Sequence, residues 1–516
     1  MRRLLAALLA ALLLSGCAAL AEPEEVWEGY QPFLPEEPEE EEVPPEEPEY
    51  PAAFSLPYYR DQTLDPIACG EGVQETAASL LYEPLFRLDG QFQPQPLLCE
   101  SWEWDESGLV CTLYLREGVA FSDGSALTAR DVAEALLRAR ESERYAYRLR
   151  NVAAVAASRT GQVIITLAAP NRGLPALLDI PIVKRSAAVE MVPLGTGPYV
   201  FDKGEECLRL RADWWQGKDL PLETIPLVHA KDRETALYLF STRQVELLSV
   251  DPTSDPALTD GQAQANSQPT AVMQFIGFNT VEGRLFADPA LRRLFSQGID
   301  RETLADAQLV RLAAAAQFPI SPLSSLYPTQ METAYSEEET LAALRAAGQD
   351  TGERRELTLL VCGGGGFRAS SARFIAERLS LLDWRITVAE LPWEEYLAAL
   401  ETGEFDLYFG EVRLTADWEL SDLIGTEGAL NYGAYASETT DLMLQSFAAA
   451  EDREAAAQRL CGHLQTVMPI APVCFKNYSV LTHPGVVEGM SPAPSHVFSG
   501  FEGWTVHLKE SYNQTT

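Results

Sequence analysis

The five histidines of this chain, His229, His463, His483, His496 and His507, are the first side chains that could bind a metal or move a proton. No two stand four residues apart, the spacing that puts two imidazoles on one helix face, so no metal site is expected. Beyond Cys17 there are seven cysteines: Cys69, Cys99, Cys111, Cys207, Cys362, Cys461 and Cys474. An odd number over so long a chain is not a small secreted disulfide framework, and buried apolar thiols are the expectation for most. The glycine run Gly363 to Gly366 lacks the Lys-Ser/Thr pair that touches phosphate and metal in a phosphate loop, and it reads as a strand-to-helix turn. Acids number 76, yet none is spaced as a carboxylate dyad, and no nucleophile–base pair stands out. The expectation is a binding protein rather than an enzyme, with no catalytic residue and no cofactor.

Composition narrows the partners. The chain has 516 residues, 46% hydrophobic and 22% charged, which fits a globular protein of several domains. Against 76 acids stand 39 Lys and Arg, a formal charge of −37. Phosphate backbones require a basic patch, so nucleic acid is not an expected partner.

The N-terminus gives the destination. Met1-Arg2-Arg3 is followed by eleven apolar residues, Leu4 to Leu14, too few for the ~20 of a spanning helix and suited to a signal peptide. It ends in Leu14-Ser15-Gly16-Cys17, which resembles the bacterial lipobox. That resemblance implies removal of residues 1–16, a diacylglycerol on Cys17, and an exported protein held at the outer face of the cell membrane. This is the periplasmic side where an outer membrane exists. Residues 17–52 carry thirteen acids, eight prolines and no Lys or Arg, the composition of an extended, disordered linker.

From Ala53 onward β-rich runs alternate with amphipathic helices, an α/β pattern. Trp102-Glu103-Trp104 and Leu109 to Tyr114 flank the turn Asp105-Glu106-Ser107-Gly108, a hairpin. Thr128 with Asp131 predicts a capped helix that buries Val132, Ala135, Leu136 and Ala139. Strands over Leu357–Val361, Arg385–Ala389 and Phe405–Phe409, separated by helices over Ala372–Leu382 and Trp393–Leu400, predict a mostly parallel sheet.

Several segments, in order, resemble the family 5 extracellular solute-binding proteins, the oligopeptide- and dipeptide-binding components of ABC importers. They include Leu81-Tyr82-Glu83-Pro84-Leu85-Phe86; Leu115-Arg116-Glu117-Gly118-Val119 through Leu127-Thr128-Ala129-Arg130-Asp131-Val132; and Gly195-Thr196-Gly197-Pro198-Tyr199. Asp213-Trp214-Trp215, Gly277-Phe278-Asn279-Thr280 and Leu291-Arg292-Arg293-Leu294-Phe295 with Ile299-Asp300-Arg301 continue the series. The resemblance implies a two-lobed periplasmic-binding-protein-like fold of type II. It implies a first lobe over 53–270 with an inserted subdomain over about 73–190, a second lobe over 271–477, and a return to the first lobe over 478–516. It also implies a monomer that closes over a peptide and docks on the permease subunits of an ABC transporter. Nickel chelates, haem and oligosaccharides are alternative ligands of the same fold, and a structural or chaperone-like surface lipoprotein is the alternative outside transport.

By the same resemblance Asp417 matches the acid that holds a peptide's ammonium, with Trp418 beside it, and Trp393 matches a pocket-lining tryptophan. A helix cap near Glu419 is the structural alternative for Asp417. Asn279 and Thr280 match the crossover into the second lobe. Where relatives carry a carboxylate-binding arginine this chain has Phe409, which suggests a more apolar floor, and Arg413 lies nearby either as its substitute or as a solvated surface arginine.

Overall fold

Thr128 and Asp131 do what their spacing predicts. In the computed structural model the Thr128 hydroxyl accepts from the Asp131 N–H and the Asp131 carboxylate from the Thr128 N–H, opening the helix Ala129–Glu141. The structure describes residues 50–70, 72–185, 191–253, 263–308, 312–364 and 366–509, so the lipobox and the linker through residue 49 lie outside it. Val132, Ala135, Leu136 and Ala139 of that helix are buried in one core with Leu113 and Ile165. Those two come from a four-stranded antiparallel sheet ordered Cys99–Trp104, Val110–Leu115, Val163–Leu167, Val152–Ala157. The first two strands are the expected hairpin, closed by Asp105 Oδ1 accepting from Leu109 (3.1 Å) and Val110 (2.9 Å) N–H and by Gly108 at φ 69°.

A second sheet runs Leu56–Tyr58, Thr224–His229, Cys207–Leu210, Tyr199–Asp202, its first pair parallel and the others antiparallel. Its core joins Phe54 and Leu56 to Val486, Phe498, Phe501 and Trp504 from late in the chain. Three of the motif segments meet here. Glu83 is buried and accepts from Trp215 Nε1 at 2.7 Å and Gln216 Nε2 at 2.9 Å, while the Gly197 N–H donates to the Leu81 carbonyl at 3.0 Å. Burial pushes the Glu83 carboxyl above its usual range even against these donors.

The largest sheet among the described residues has seven strands. Its order is Leu247–Val250, Ile470–Thr482, Gln264–Phe278, Leu407–Arg413, Arg355–Cys362, Trp384–Leu391, with Ala313–Ala315 added on Ile470–Thr482. Arg355–Cys362 pairs in parallel with both Trp384–Leu391 and Leu407–Arg413, as the alternation of strands with the helices Gly366–Leu379 and Trp393–Thr402 requires. The expectation of a mostly parallel sheet is corrected beyond this trio. Gln264–Phe278 runs antiparallel to both neighbours, and so do the other two strands on Ile470–Thr482. The pattern misled because a strand covered on both faces, as Val272–Phe278 is, reads as one apolar run in either orientation.

Gln264–Phe278 and Ile470–Thr482 are the two longest strands of this sheet. At one end Ile470–Thr482 has Leu247–Val250 as a neighbour, and at the other Gln264–Phe278 has Leu407–Arg413. Their mutual register breaks between Pro269 and Met273. Arginines fix the second lobe from inside. Arg301 is buried and donates to the Ser296, Ala316 and Pro472 carbonyls, and burial brings it down to about 10. Arg292 donates likewise to Val467, Met468 and Phe286. Among the described residues no helix is long and apolar enough to cross a membrane.

Candidate functional site

The strands Gln264–Phe278 and Ile470–Thr482 carry Gln268, Thr270 and Tyr478 into the wall of a cavity of about 290 Å³. First-lobe residues complete it, among them Glu75, Arg144, Tyr145, Arg148 and Asp179, with Arg233 at the start of the helix Arg233–Ser241. Arg413 enters at the end of the second-lobe strand Leu407–Arg413, where Nη2 donates to Tyr478 Oη at 2.8 Å. Arg413 is exposed and lines this cavity.

The charges of the cavity are arranged in pairs. Arg144 is bonded to Glu75 and Arg148 to Asp179. The two guanidinium carbons lie 5.2 and 5.3 Å from the centroid of the buried Tyr145 ring. Asp251 faces the ammonium of Lys476 at 2.9 Å, and Lys476 reaches Glu411 of the second lobe at 3.3 Å. Although burial works against it, Asp251 is held below the usual carboxylate range by Thr253 and Lys476. The lysine side chain is only 4% exposed, so it is a buried electrostatic joint between its strand and the segments that carry Asp251 and Glu411.

Asp417 lines a second cavity, of about 740 Å³, with Arg150, Asn171, Glu419, Asp422 and Leu442. Arg148 lines both cavities. Asp417 is 4% exposed. One carboxylate oxygen accepts from Asn171 Nδ2 at 2.7 Å and the other from Thr415 Oγ1 at 2.5 Å. Arg453 Nη2 holds the Asp417 backbone carbonyl at 2.6 Å. The helix-cap alternative is corrected. The following helix, Ser421–Ile424, is preceded by Leu420 and has no side-chain cap, while the Asp417 oxygens are taken up by Asn171 and Thr415. Around this contact Arg150 is paired with Glu419 and lies 3.3 Å from Asp422.

The remaining sequence candidates fall elsewhere. Trp418 is fully buried, packed edge-on against Phe92 at 5.1 Å and Phe475 at 5.8 Å, a core residue that joins the lobes. Trp393 opens its helix 62% exposed and lines neither of these two cavities. Phe409 belongs to the second-lobe core, its carbonyl accepting from Tyr396 Oη at 2.9 Å, rather than to the cleft floor. Asn279 and Thr280 lie past the far end of the strand Gln264–Phe278. There Asn279 Nδ2 donates to the Phe405 carbonyl at 2.9 Å and Thr280 Oγ1 to that of Gly433 at 2.9 Å. Sequence reasoning passed over Arg144, Arg148 and Arg233. The available signal was an arginine pair four apart with Tyr145 between them.

The seven described cysteines are all free thiols, and all but Cys362 are buried. Burial pushes Cys69 up to about 11 and Cys99, Cys111, Cys461 and Cys474 up to about 12, which leaves them unreactive. Asp202, Glu205 and Cys207 bring three possible metal-ligating atoms within 4.8 Å of one another, but Arg209 already pairs with both carboxylates.

Comparison with known proteins agrees with this architecture. The family described as bacterial extracellular solute-binding proteins, family 5 Middle, matches residues 93–421, well over half of the chain. The glutathione-binding protein GsiB of Escherichia coli O1:K1 / APEC is 24% identical over 308 residues, 56% of this chain and 60% of the relative. The match thus spans less than two thirds of that relative's length. Two solved structures share the fold. The oligopeptide-binding protein AppA of Bacillus subtilis, in complex with a nonapeptide, aligns with a TM-score of 0.58 at 19% identity, over 89% of this chain and all of that one. NikZ of Campylobacter jejuni, in complex with Ni(L-His), aligns with a TM-score of 0.61 at 17% identity, again over 89% and 100%.

Proposed function

The chain belongs to the bacterial extracellular solute-binding proteins of family 5, and from that membership we propose that it captures short peptides between its lobes for the permease of an ABC importer. One observation carries the reading. Arg148 lines both cavities. Asp417, Glu419 and Asp422 border one with Arg148 and Arg150, and Arg144, Arg148, Arg233 and Arg413 border the other with Glu75, Asp179 and Asp251. Walls that carry both signs of charge suit a zwitterion, its ammonium toward carboxylates and its carboxylate toward guanidiniums. Glutathione and a nonapeptide, the ligands named for GsiB and AppA, are both guests of this chemical kind. In this reading ligand binding works by population shift, favouring the arrangement that docks on the permease, and the protein acts as a monomer.

Native mass spectrometry of the purified protein, followed by sequencing of whatever it retains, tests the assignment. A retained peptide is the expected result. Recovery of a nickel chelate, haem or oligosaccharide overturns it in favour of another ligand of the same fold. The lipid anchor on Cys17 is part of the same proposal. Membrane-extracted protein should show a mature N-terminus at Cys17 heavier by a diacylglyceryl group, and an unmodified Cys17 would refute the anchor.

A further inference from the structure

Three short segments of the chain pass from one cavity to the other. Arg148 lines both and Arg150 only the larger, Asp179 lines the smaller and Leu177 the larger, and Arg413 lines the smaller and Thr415 the larger. In each segment the change comes within two residues, which span at most ~7 Å of chain. The cavities of about 290 and 740 Å³ are therefore neighbours along one boundary. Among the described residues Arg148 alone belongs to both walls.

The Arg148 side chain stands at that boundary. Its Nη1 donates to the buried Asp179, which ties the first segment to the second. Its guanidinium carbon lies 5.3 Å from the centroid of the Tyr145 ring, itself part of the smaller cavity's wall. The side chain is nonetheless 30% exposed, so part of it meets open space instead of packed core. Arg148 is the one hydrogen-bond partner of the Asp179 side chain among the described residues. Swinging the guanidinium aside would leave that carboxylate buried and uncompensated, which is strongly unfavourable. The pair thus resists opening without being locked in a core.

We infer that the Arg148–Asp179 pair is a partition that sets the length of the guest. Short peptides bind within the larger cavity, and longer ones have to displace Arg148 to continue into the smaller one, so they bind more weakly. The inference rests on the peptide-capture reading and adds to it the residue that selects length. An extended tripeptide spans at most ~11 Å and a pentapeptide ~18 Å, against ~11 Å across a round space of 740 Å³. The first fits inside one cavity and the second does not.

Isothermal titration of the purified protein with trialanine and pentaalanine tests this. The unmodified protein should bind trialanine at least ten-fold tighter. Arg148→Gln shortens the side chain at the boundary and should narrow that ratio several-fold, by tightening pentaalanine and not by weakening trialanine. Should that variant fail to fold, Arg148→Ala combined with Asp179→Asn, which strands no charge, takes its place. The order of the two peptides on the unmodified protein is decisive in either case. Pentaalanine binding as tightly as trialanine to the unmodified protein overturns the partition and leaves peptide capture standing. A ratio unchanged by the substitution does the same. Binding of neither peptide overturns peptide capture itself, and the partition with it.

Discussion

Asn171 of the first lobe donates its side-chain amide to Asp417 of the second at 2.7 Å, a bond spanning 246 positions of chain. The fit around it is tight. A Cβ on the neighbouring Gly173 would stand 2.6 Å from that of Asp417. Because Asp417 is 4% exposed, water does not replace a lost donor. Asn171→Ala should therefore cost about 1–3 kcal/mol, the penalty of leaving a buried acceptor unsatisfied. Urea unfolding measures this, and an unchanged midpoint would mean that the bond does not contribute to holding the lobes together.

Lys476 permits a stricter test of the joint between the lobes. Lys476→Met keeps the length and apolar stem but removes the ammonium between Asp251 at 2.9 Å and Glu411 at 3.3 Å. Breaking a buried pair from one side costs roughly 3–5 kcal/mol. The two acids are 18% and 22% exposed, so the lower end applies. Adding Glu411→Gln should recover part of the loss, because the repulsion between the acids is then removed. A double variant no better than the single one would place the effect in packing instead.

What the sequence revealed follows the range of the interactions. The hairpin at Asp105–Gly108 and the box at Thr128–Asp131 are local, and their chemistry is complete within a few residues. The β-α-β-α-β succession fixed three parallel strands because crossover helices are local too. Asp417 could be singled out by motif, but its partner Asn171 is set by how the lobes meet and leaves no trace near either residue. An aromatic at a helix start reads alike buried or exposed, so the exposure of Trp393 was not legible in the sequence. For Phe409 the difficulty is another: in a strand covered on both faces, period-two patterning cannot tell the cleft side from the core.

Gly195 shows why one motif has the residues it has. A Cβ there would lie 2.1 Å from the Leu81 carbonyl oxygen and 2.5 Å from the Tyr82 ring. Only a residue without a side chain lets the two backbones approach so closely. Gly195→Ala should cost about 1–3 kcal/mol as overpacking, and more if the backbone cannot shift. Gly90→Ala, where nothing lies within 4 Å of the added carbon, is the control expected to melt close to the parent. Equal melting temperatures for the two variants would contradict the close-approach explanation.

Glu246 makes stability depend on pH in a direction that can be stated in advance. It is 2% exposed, and its Oε2 accepts from the Ser55 N–H at 2.6 Å. Burial raises the carboxyl from 4.5 to about 7, and the single backbone donor offsets this only in part. Between those two values the folded protein keeps a proton that the unfolded chain has released. Raising the pH through that window therefore favours unfolding. The stabilising contribution is complete below about 4.5 and lost by about 7. Glu246→Gln keeps an acceptor for Ser55 and cannot ionise, so it removes this dependence. Thermal unfolding of both proteins from pH 4.5 to 8 should show the variant gaining on the parent as pH rises and melting higher at pH 8. Curves that stay parallel across the range would mean that Glu246 is already ionised in the folded protein, with water or a moved backbone solvating it beside Ser55.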